Sequence, residues 1–217
     1  MVLFVGLSWA AASAEPPAKK QGADESSRVE EVLARLEERM SAVQSLKANF
    51  VQEKHLAVLD QPLILRGSIF MQKPDLFAWH VREPLRYSMV IEGESISQWD
   101  EDTGQVQKIS LSKNPPFKVA IRHMRDWFSG AYRSMRGEYE VTVLDENPIS
   151  ITFVPRPTAF AQELIERVTV VFESDERYIR QIRIVERRGD STLLSLGDTA
   201  LNTAIDPSAW RVAQRVR

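Results

Sequence analysis

The sequence predicts an α+β protein: a strongly curved antiparallel sheet forming an incomplete, open β-barrel, with helices covering an apolar cavity. Three observations lead there. From Leu63 to Gln107 apolar residues recur at a period of two, in short runs broken by Lys73-Pro74-Asp75, Glu83-Pro84, Glu92-Gly93-Glu94 and Asp102-Thr103-Gly104. That is the pattern of a meander with tight turns. Two segments of helical period stand before and between sets of strands. A small closed barrel fills with its own side chains and needs no helices, so the element order favours an open one.

The chain of 217 residues is long enough for one domain with a sizeable core. Val2 to Ala12 is apolar or small, and Ala12-Ser13-Ala14 before Glu15 is a small-x-small cleavage context. Residues 1–14 read as an export signal whose basic region lies upstream of the given start, because no Lys or Arg precedes Lys19. It is too short to span a bilayer, which takes roughly 20 apolar residues. Residues 15–26, small, polar and proline-bearing, read as a flexible leader, and residues 27–217 as a single domain.

Ser27 is expected to start a helix, with Glu30 as its capping-box partner. Val29, Val32, Leu33, Leu36, Met40, Val43 and Leu46 form its apolar face. The opposite face is more acidic than basic, which disfavours a lipid surface and favours burial on the sheet. Ala48 to Leu59 reads as the first strand, and the meander follows. Asn114-Pro115-Pro116 breaks it. From Phe117 the period becomes helical, with Phe117, Ile121, Met124, Trp127 and Phe128 on one side and Gly130 as terminator. Soft, large side chains of this kind suit an irregular core or a variable apolar guest. Strands resume at Glu140–Leu144, Ile149–Val154, Ile165–Glu173, Tyr178–Glu186 and Ser191–Leu196, and Thr199–Trp210 closes the chain irregularly.

Composition and motifs exclude more than they point to. The 30 acidic and 28 basic residues are interspersed, so no basic face for nucleic acid is expected. Cysteine is absent, which removes disulfides and thiol chemistry. His55, His80 and His123 are isolated, without metal-ligand spacing, and His80 should lie on the polar face opposite Trp79 and Val81. Ser129, Ser134 and Ser191 lack a nucleophile-elbow context. Gly67, Gly93, Gly104 and Gly189 stand singly, not as a phosphate loop. Asp100-Glu101-Asp102 reads as a solvated hairpin end, since the spaced ligands of a calcium loop are missing. Glu83, Glu92 and Glu94 are acidic surface as readily as a glycosidase pair. No cofactor is implied.

What remains is aromatic and apolar. The candidate cavity and covering residues are Phe50, Phe70, Phe77, Trp79, Met89, Trp99, Phe117, Ile121, Met124, Trp127 and Phe128. Most of any such set is ordinary core, and parity alone does not separate core from cavity lining.

Several segments resemble the periplasmic outer-membrane lipoprotein carrier family, the LolA proteins. Ser45, Leu46, Phe50 and Gln52 match its Ser-Leu…Phe-x-Gln signature, and Lys73-Pro74-Asp75-Leu76-Phe77-Ala78-Trp79-His80 is similar to its Arg-Pro-x-x-Phe-x-Trp segment. Gly67, Pro84, Gly93, Trp99-Asp100 and Gln105-Val106 fall in family order. The likeness covers about Ser27 to Trp210 and is clearest through Val106. It implies a monomeric periplasmic carrier without covalent chemistry. Such a protein shields lipoprotein acyl chains, or another lipid such as a free fatty acid, polyene lipid or glycolipid, under a helical lid. Its partners would be an inner-membrane transporter and an outer-membrane receptor or acceptor membrane. The family's lid-contacting arginine before the proline is Lys73 here, the candidate latch; lysine keeps the charge but not the planar fork. The segment after Leu201 departs from the family's usual end. The rival readings are a periplasmic sensor or interaction module on the same open barrel, and, third, an enzyme.

Overall fold

The computed structural model describes residues 18–212. The expected export signal therefore lies outside the described residues. The chain runs α1 (Ala18–Ser41), β1 (Ser45–His55), β2 (Leu63–Gln72), β3 (Leu76–Glu83), β4 (Tyr87–Glu92), β5 (Ser95–Asp100) and β6 (Val106–Ser110). It continues with α2 (Pro115–Ser129), α3 (Tyr132–Met135), β7 (Tyr139–Glu146), β8 (Ile149–Pro155), β9 (Ile165–Phe172), β10 (Ile179–Glu186) and β11 (Ser191–Leu201). One antiparallel sheet of eleven strands has the order β6-β5-β4-β3-β2-β1-β11-β10-β9-β8-β7. Its two edges, β6 and β7, belong to different meanders and do not pair, so the sheet curls without closing.

Register explains the alternation seen in the sequence. Leu46, Met71, Phe77, Ile91, Ile96 and Ile109 face one another across successive strands on the concave side. Asn49, Ser68, His80, Ser88, Trp99 and Val106 make a parallel row on the convex side. Bulges shift the pairing at Arg66/Gly67, Lys47/Asn49 and Val143/Asp145, and each such insertion bends its strand. Gly67 is placed where no side chain fits: a Cβ there would collide with the His80 carbonyl oxygen and lie 2.7 Å from the Phe50 ring.

α1 lies with Val29, Val32, Leu33, Leu36 and Met40 buried in the core. Each fully buried Leu contributes about 1.5–3 kcal/mol before entropic costs. The helix is longer than its apolar spacing predicts. It begins at Ala18, so most of the stretch read as a leader is helical, and Ser27 sits inside a helix instead of capping one. Glu30 consequently turns to Arg136, at 2.6 Å, and to Arg133, tying α1 to α3 and the turn after it. Val43 and Leu46, counted on the helical face, are buried beyond the helix end, Leu46 within β1. The first strand also starts and stops earlier than expected. Pairing ends at Lys54–Leu63 and His55–Ser191, which leaves Leu56–Leu59 in a connection. Gly130 ends α2 as anticipated, at φ 89°, where a Cβ would approach Met40 to 2.9 Å. That glycine lets α2 end directly against the last turn of α1.

The closing segment crosses the convex face. Asn202, at φ 55°, accepts from the backbone of Gln44 and Ser45 and donates to the Ala42 carbonyl, redirecting the chain after β11. Pro207–Trp210 then forms a short 3-10 turn over β3. The His80 Nε2 lies 2.8 Å from the Ala209 carbonyl, which only accepts, so Nε2 carries the proton. Nδ1 then accepts from the Ser88 hydroxyl at 3.0 Å. Burial pushes the His80 pKa down, more than the Ala209 hydrogen bond raises it.

Two outcomes are expected. Gly67→Ala should lower stability by about 1–3 kcal/mol through overpacking against backbone, read as a drop in the urea midpoint; an unchanged midpoint would show that β2 and β3 relax freely there. For His80, a base with a depressed folded pKa, the contribution is fully present above the unfolded value of about 6.5 and is lost as pH falls from there toward the folded pKa. Denaturation at pH 7.5 and pH 5.5 should therefore show a larger acid loss for the native chain than for His80→Gln. Equal losses would exclude His80 as the source.

Candidate functional site

An apolar cavity of about 370 Å3 opens between the concave face of the C-terminal meander and α2. Its floor follows from register. Gln52, Leu194 and Ile182 form one cross-strand row, and Thr192, Ile184 and Val168 the next. Met124, Trp127 and Phe128 of α2 cover these rows, Trp79 closes one side, and Leu164 and Ile165 stand at the entrance. Trp127 meets Phe153 edge-on at 4.6 Å and Phe128 lies 5.8 Å from Phe77, so the covering residues also anchor α2 to the core.

Polar groups in the lining are few: Gln52, His123 and Thr192, with the Tyr139 hydroxyl. His123 Nε2 is 3.0 Å from Glu138, which also binds Arg122 at 3.1 Å. Burial, then the Glu138 charge, raises the Tyr139 pKa, so its hydroxyl stays protonated across the neutral range. No group of three or more His, Asp or Glu is gathered as metal ligands among the described residues. The lining offers apolar contact and isolated hydrogen-bonding groups, the chemistry of a site that holds a hydrocarbon.

The aromatic candidates from the sequence divide into three sets. Trp79, Met124, Trp127 and Phe128 line the cavity. Phe50, 4.2 Å from Trp79, and Phe77 back it within the core, and Met89 packs against the same core. Ile121 is buried too, but it faces a separate, more polar pocket of about 380 Å3 with Leu111, Glu94 and Lys118. Phe70 and Trp99 are corrections: both lie on the convex side. Phe70 pairs in register with Ala78 and meets His80 and Trp210, and Trp99 opposes Ser88. Their parity is that of His80, and the closing segment covers Phe70 through Trp210. The side chain of Phe117 lies outside the described residues. Ile165, Val168, Ile182, Ile184, Thr192 and Leu194 were missed; the period of two in their strands marks a buried face without marking a cavity.

Two cations tie helices to strand ends. Lys73 Nζ donates to the carbonyls of Met40 at 3.1 Å and Ser41 at 3.4 Å, at the C-terminus of α1, and burial pushes its pKa down. Cation and helix C-terminus are favourably matched. The bond from α2 runs the other way: Arg125 Nη2 donates to the Gly93 carbonyl at 2.7 Å and the Asp75 carbonyl at 3.4 Å. Its Nε is buried without a partner. Thus Lys73 holds α1, and Arg125 holds α2 on the β2–β3 and β4–β5 turns, which lie side by side at one end of the β3–β4 pair.

Arg125→Leu should cost about 1–3 kcal/mol and raise amide exchange in α2 selectively, leaving the first turns of α1 protected. Lys73→Leu should do the reverse, loosening the last turn of α1. Identical exchange patterns in the two variants would overturn this division.

The model of the family described as "Outer membrane lipoprotein carrier protein LolA" matches residues 41–213. An outer-membrane lipoprotein carrier protein from Pseudomonas fluorescens is 35% identical over 179 residues, 82% of this chain and 82% of that protein. Another from Hahella chejuensis is 24% identical, over 77% of each chain. Among solved structures, an uncharacterized conserved protein from Thermus thermophilus superposes with a TM-score of 0.53 at 10% identity, covering 87% of this chain and 96% of that one. The MucA/MucB complex structure of Pseudomonas aeruginosa gives 0.52 at 11% identity, covering 86% and 61%. At such identities these two likenesses concern the fold. Family model, sequence relatives and open-barrel architecture agree, and the chain belongs to the LolA outer membrane lipoprotein carrier family.

Proposed function

We propose that this protein is a periplasmic carrier that shields the acyl chains of a lipoprotein or another lipid and passes them from the inner to the outer membrane. The observation that supports it most is the cavity: mostly apolar on the strand side, with Gln52 and Thr192 as its polar groups there, covered by the Met124, Trp127 and Phe128 face of α2, and open at Leu164. Each methylene moved out of water is worth about 0.8 kcal/mol, so one long chain supplies on the order of 10 kcal/mol before ordering costs. The volume of about 370 Å3 is near the lower end of the roughly 300–1,000 Å3 of small-molecule pockets. A cargo with several acyl chains therefore requires α2 to move outward, breaking the contacts of Arg125 with two turn carbonyls, of Arg122 and His123 with Glu138, and of Lys118 with Glu94. Loading from an inner-membrane transporter and release to an outer-membrane receptor or membrane would avoid exposing the chains to water. The exported location rests on the family and on the expected signal at residues 1–14.

A second reading is an interaction or sensor module, favoured by the fold likeness to MucB, whose solved structures include a complex with MucA. The two separate on one measurement. Native mass spectrometry of protein recovered from the periplasm, followed by lipid extraction, should find co-purifying lipid. A lipid-free protein bound stably to a second polypeptide would favour the module.

Met124→Ala tests the site itself. It should weaken binding of a fluorescent acyl probe at least tenfold. Val90→Ala, on the convex face and equally a core truncation, should lower stability by about 1–3 kcal/mol and leave probe binding intact. Equal probe affinity in both variants would remove the cavity from the binding role.

A further inference from the structure

The exposed apolar side chains are distributed unevenly along the strand direction. Because the strands alternate, the β1–β2, β3–β4, β5–β6, β8–β9 and β10–β11 connections all leave the same end of the sheet. Seven large hydrophobic residues are exposed among the described residues: Val58, Leu59, Leu85, Val106, Leu144, Val154 and Leu164. Leu144 is toward the other end; the remaining six are in, or next to, those five connections. Val58 is 88% exposed at the tip of the β1–β2 connection, Leu59 50%, Leu85 58% and Leu164 54%.

This end is also where the cavity opens, for Leu164 is at once exposed and part of the lining. The rim is built, not loose. Asp190 in the β10–β11 turn accepts from the Ala57 N–H at 2.8 Å, and the Arg187 N–H donates to the Leu164 carbonyl at 3.0 Å. Glu101 N–H donates to the Arg86 carbonyl, joining the β5–β6 and β3–β4 turns.

We propose that this rim is a bilayer-contacting surface, with the tips of the β1–β2 and β3–β4 connections, Val58, Leu59 and Leu85, entering the interfacial layer around the cavity mouth. Val58, Leu59 and Leu85 stand on the tips of two separate connections and are not part of the cavity lining. A fluid interface accepts such points without shape complementarity. Charges on the same connections are mixed, Arg86, Arg187 and Arg188 standing beside Glu83, Glu186 and Asp190. Insertion is therefore driven by apolar area and depends little on anionic lipid. With the mouth at the interface, a hydrocarbon chain passes between bilayer and cavity without crossing water. That purpose rests on the carrier reading; the contact itself does not.

The test uses the full chain and vesicles of phosphatidylcholine alone or with a fifth of phosphatidylglycerol, in co-sedimentation. The native chain should bind both, with weak dependence on salt. Val58→Asp combined with Leu85→Asp should reduce the bound fraction at least tenfold, and Leu144→Asp, at the other end, should leave it unchanged. Acyl-probe binding in vesicle-free solution should be the same in all three. Loss of probe binding in the native chain would strike the carrier reading and not the rim. No vesicle binding by the native chain, binding only to the anionic vesicles, or equal binding by the double variant would each overturn the rim proposal. So would a stable protein partner that alone is lost in the double variant.

Discussion

β1 is hydrogen-bonded along nearly its whole length on both sides, to β2 and to β11, and the rest of the molecule hangs on this double pairing. It joins a meander from the first half of the chain to one from the second in a single sheet. Because the remaining strands add outward from this centre, both edges are left at the far ends, on β6 and β7. Twist and bulges curl eleven strands strongly, yet β6 and β7 do not pair with each other. The result is a concave apolar face wider than one helix covers.

Two helices cover it, and they do so differently. α1 is fastened by a continuous buried stripe, with Lys73 on its last carbonyls and salt bridges along its outer side. Exposed pairs of that kind add little stability individually, so the stripe carries the attachment. α2 is held by an aromatic face that is partly cavity wall and by Arg125 on two turn carbonyls. A helix whose apolar face borders empty volume forgoes dispersion contacts, and is the easier element to displace. The two covers thus differ in what they pack on, α1 on filled core and α2 partly on the cavity.

The convex face carries its own small core. Phe70 would lie bare on an open sheet; Trp210 of the closing turn meets it edge-on, with the neutral His80 holding the Ala209 carbonyl, and Val90 and Trp99 are buried on the same face. Both faces of the N-terminal meander are consequently buried in part. This accounts for large apolar residues appearing on both parities in β2, β4 and β5.

The sequence by itself determined the antiparallel meanders, the placement of α2 and its stop at Gly130, and the absence of spaced catalytic or metal-binding motifs. These depend on period, turn chemistry and a left-handed cap, all local properties of the chain. It also identified Trp79, Met124, Trp127 and Phe128, because the cavity wall there coincides with a helical stripe and a strand parity. Only the tertiary structure decided that Phe70 and Trp99 belong to the other face, since the turn that covers Phe70 comes from residues more than a hundred positions later. The same holds for Ile182, Ile184 and Leu194, whose alternation is identical whether a helix packs on them or leaves a void. The partners of Glu30 and the attachment of α2 through Arg125 were likewise settled at long range: Arg136 and Arg133 for Glu30, and the Gly93 and Asp75 carbonyls for Arg125. Local sequence specifies which side of an element is apolar. What that side meets is a property of long-range packing, and the cavity exists only there.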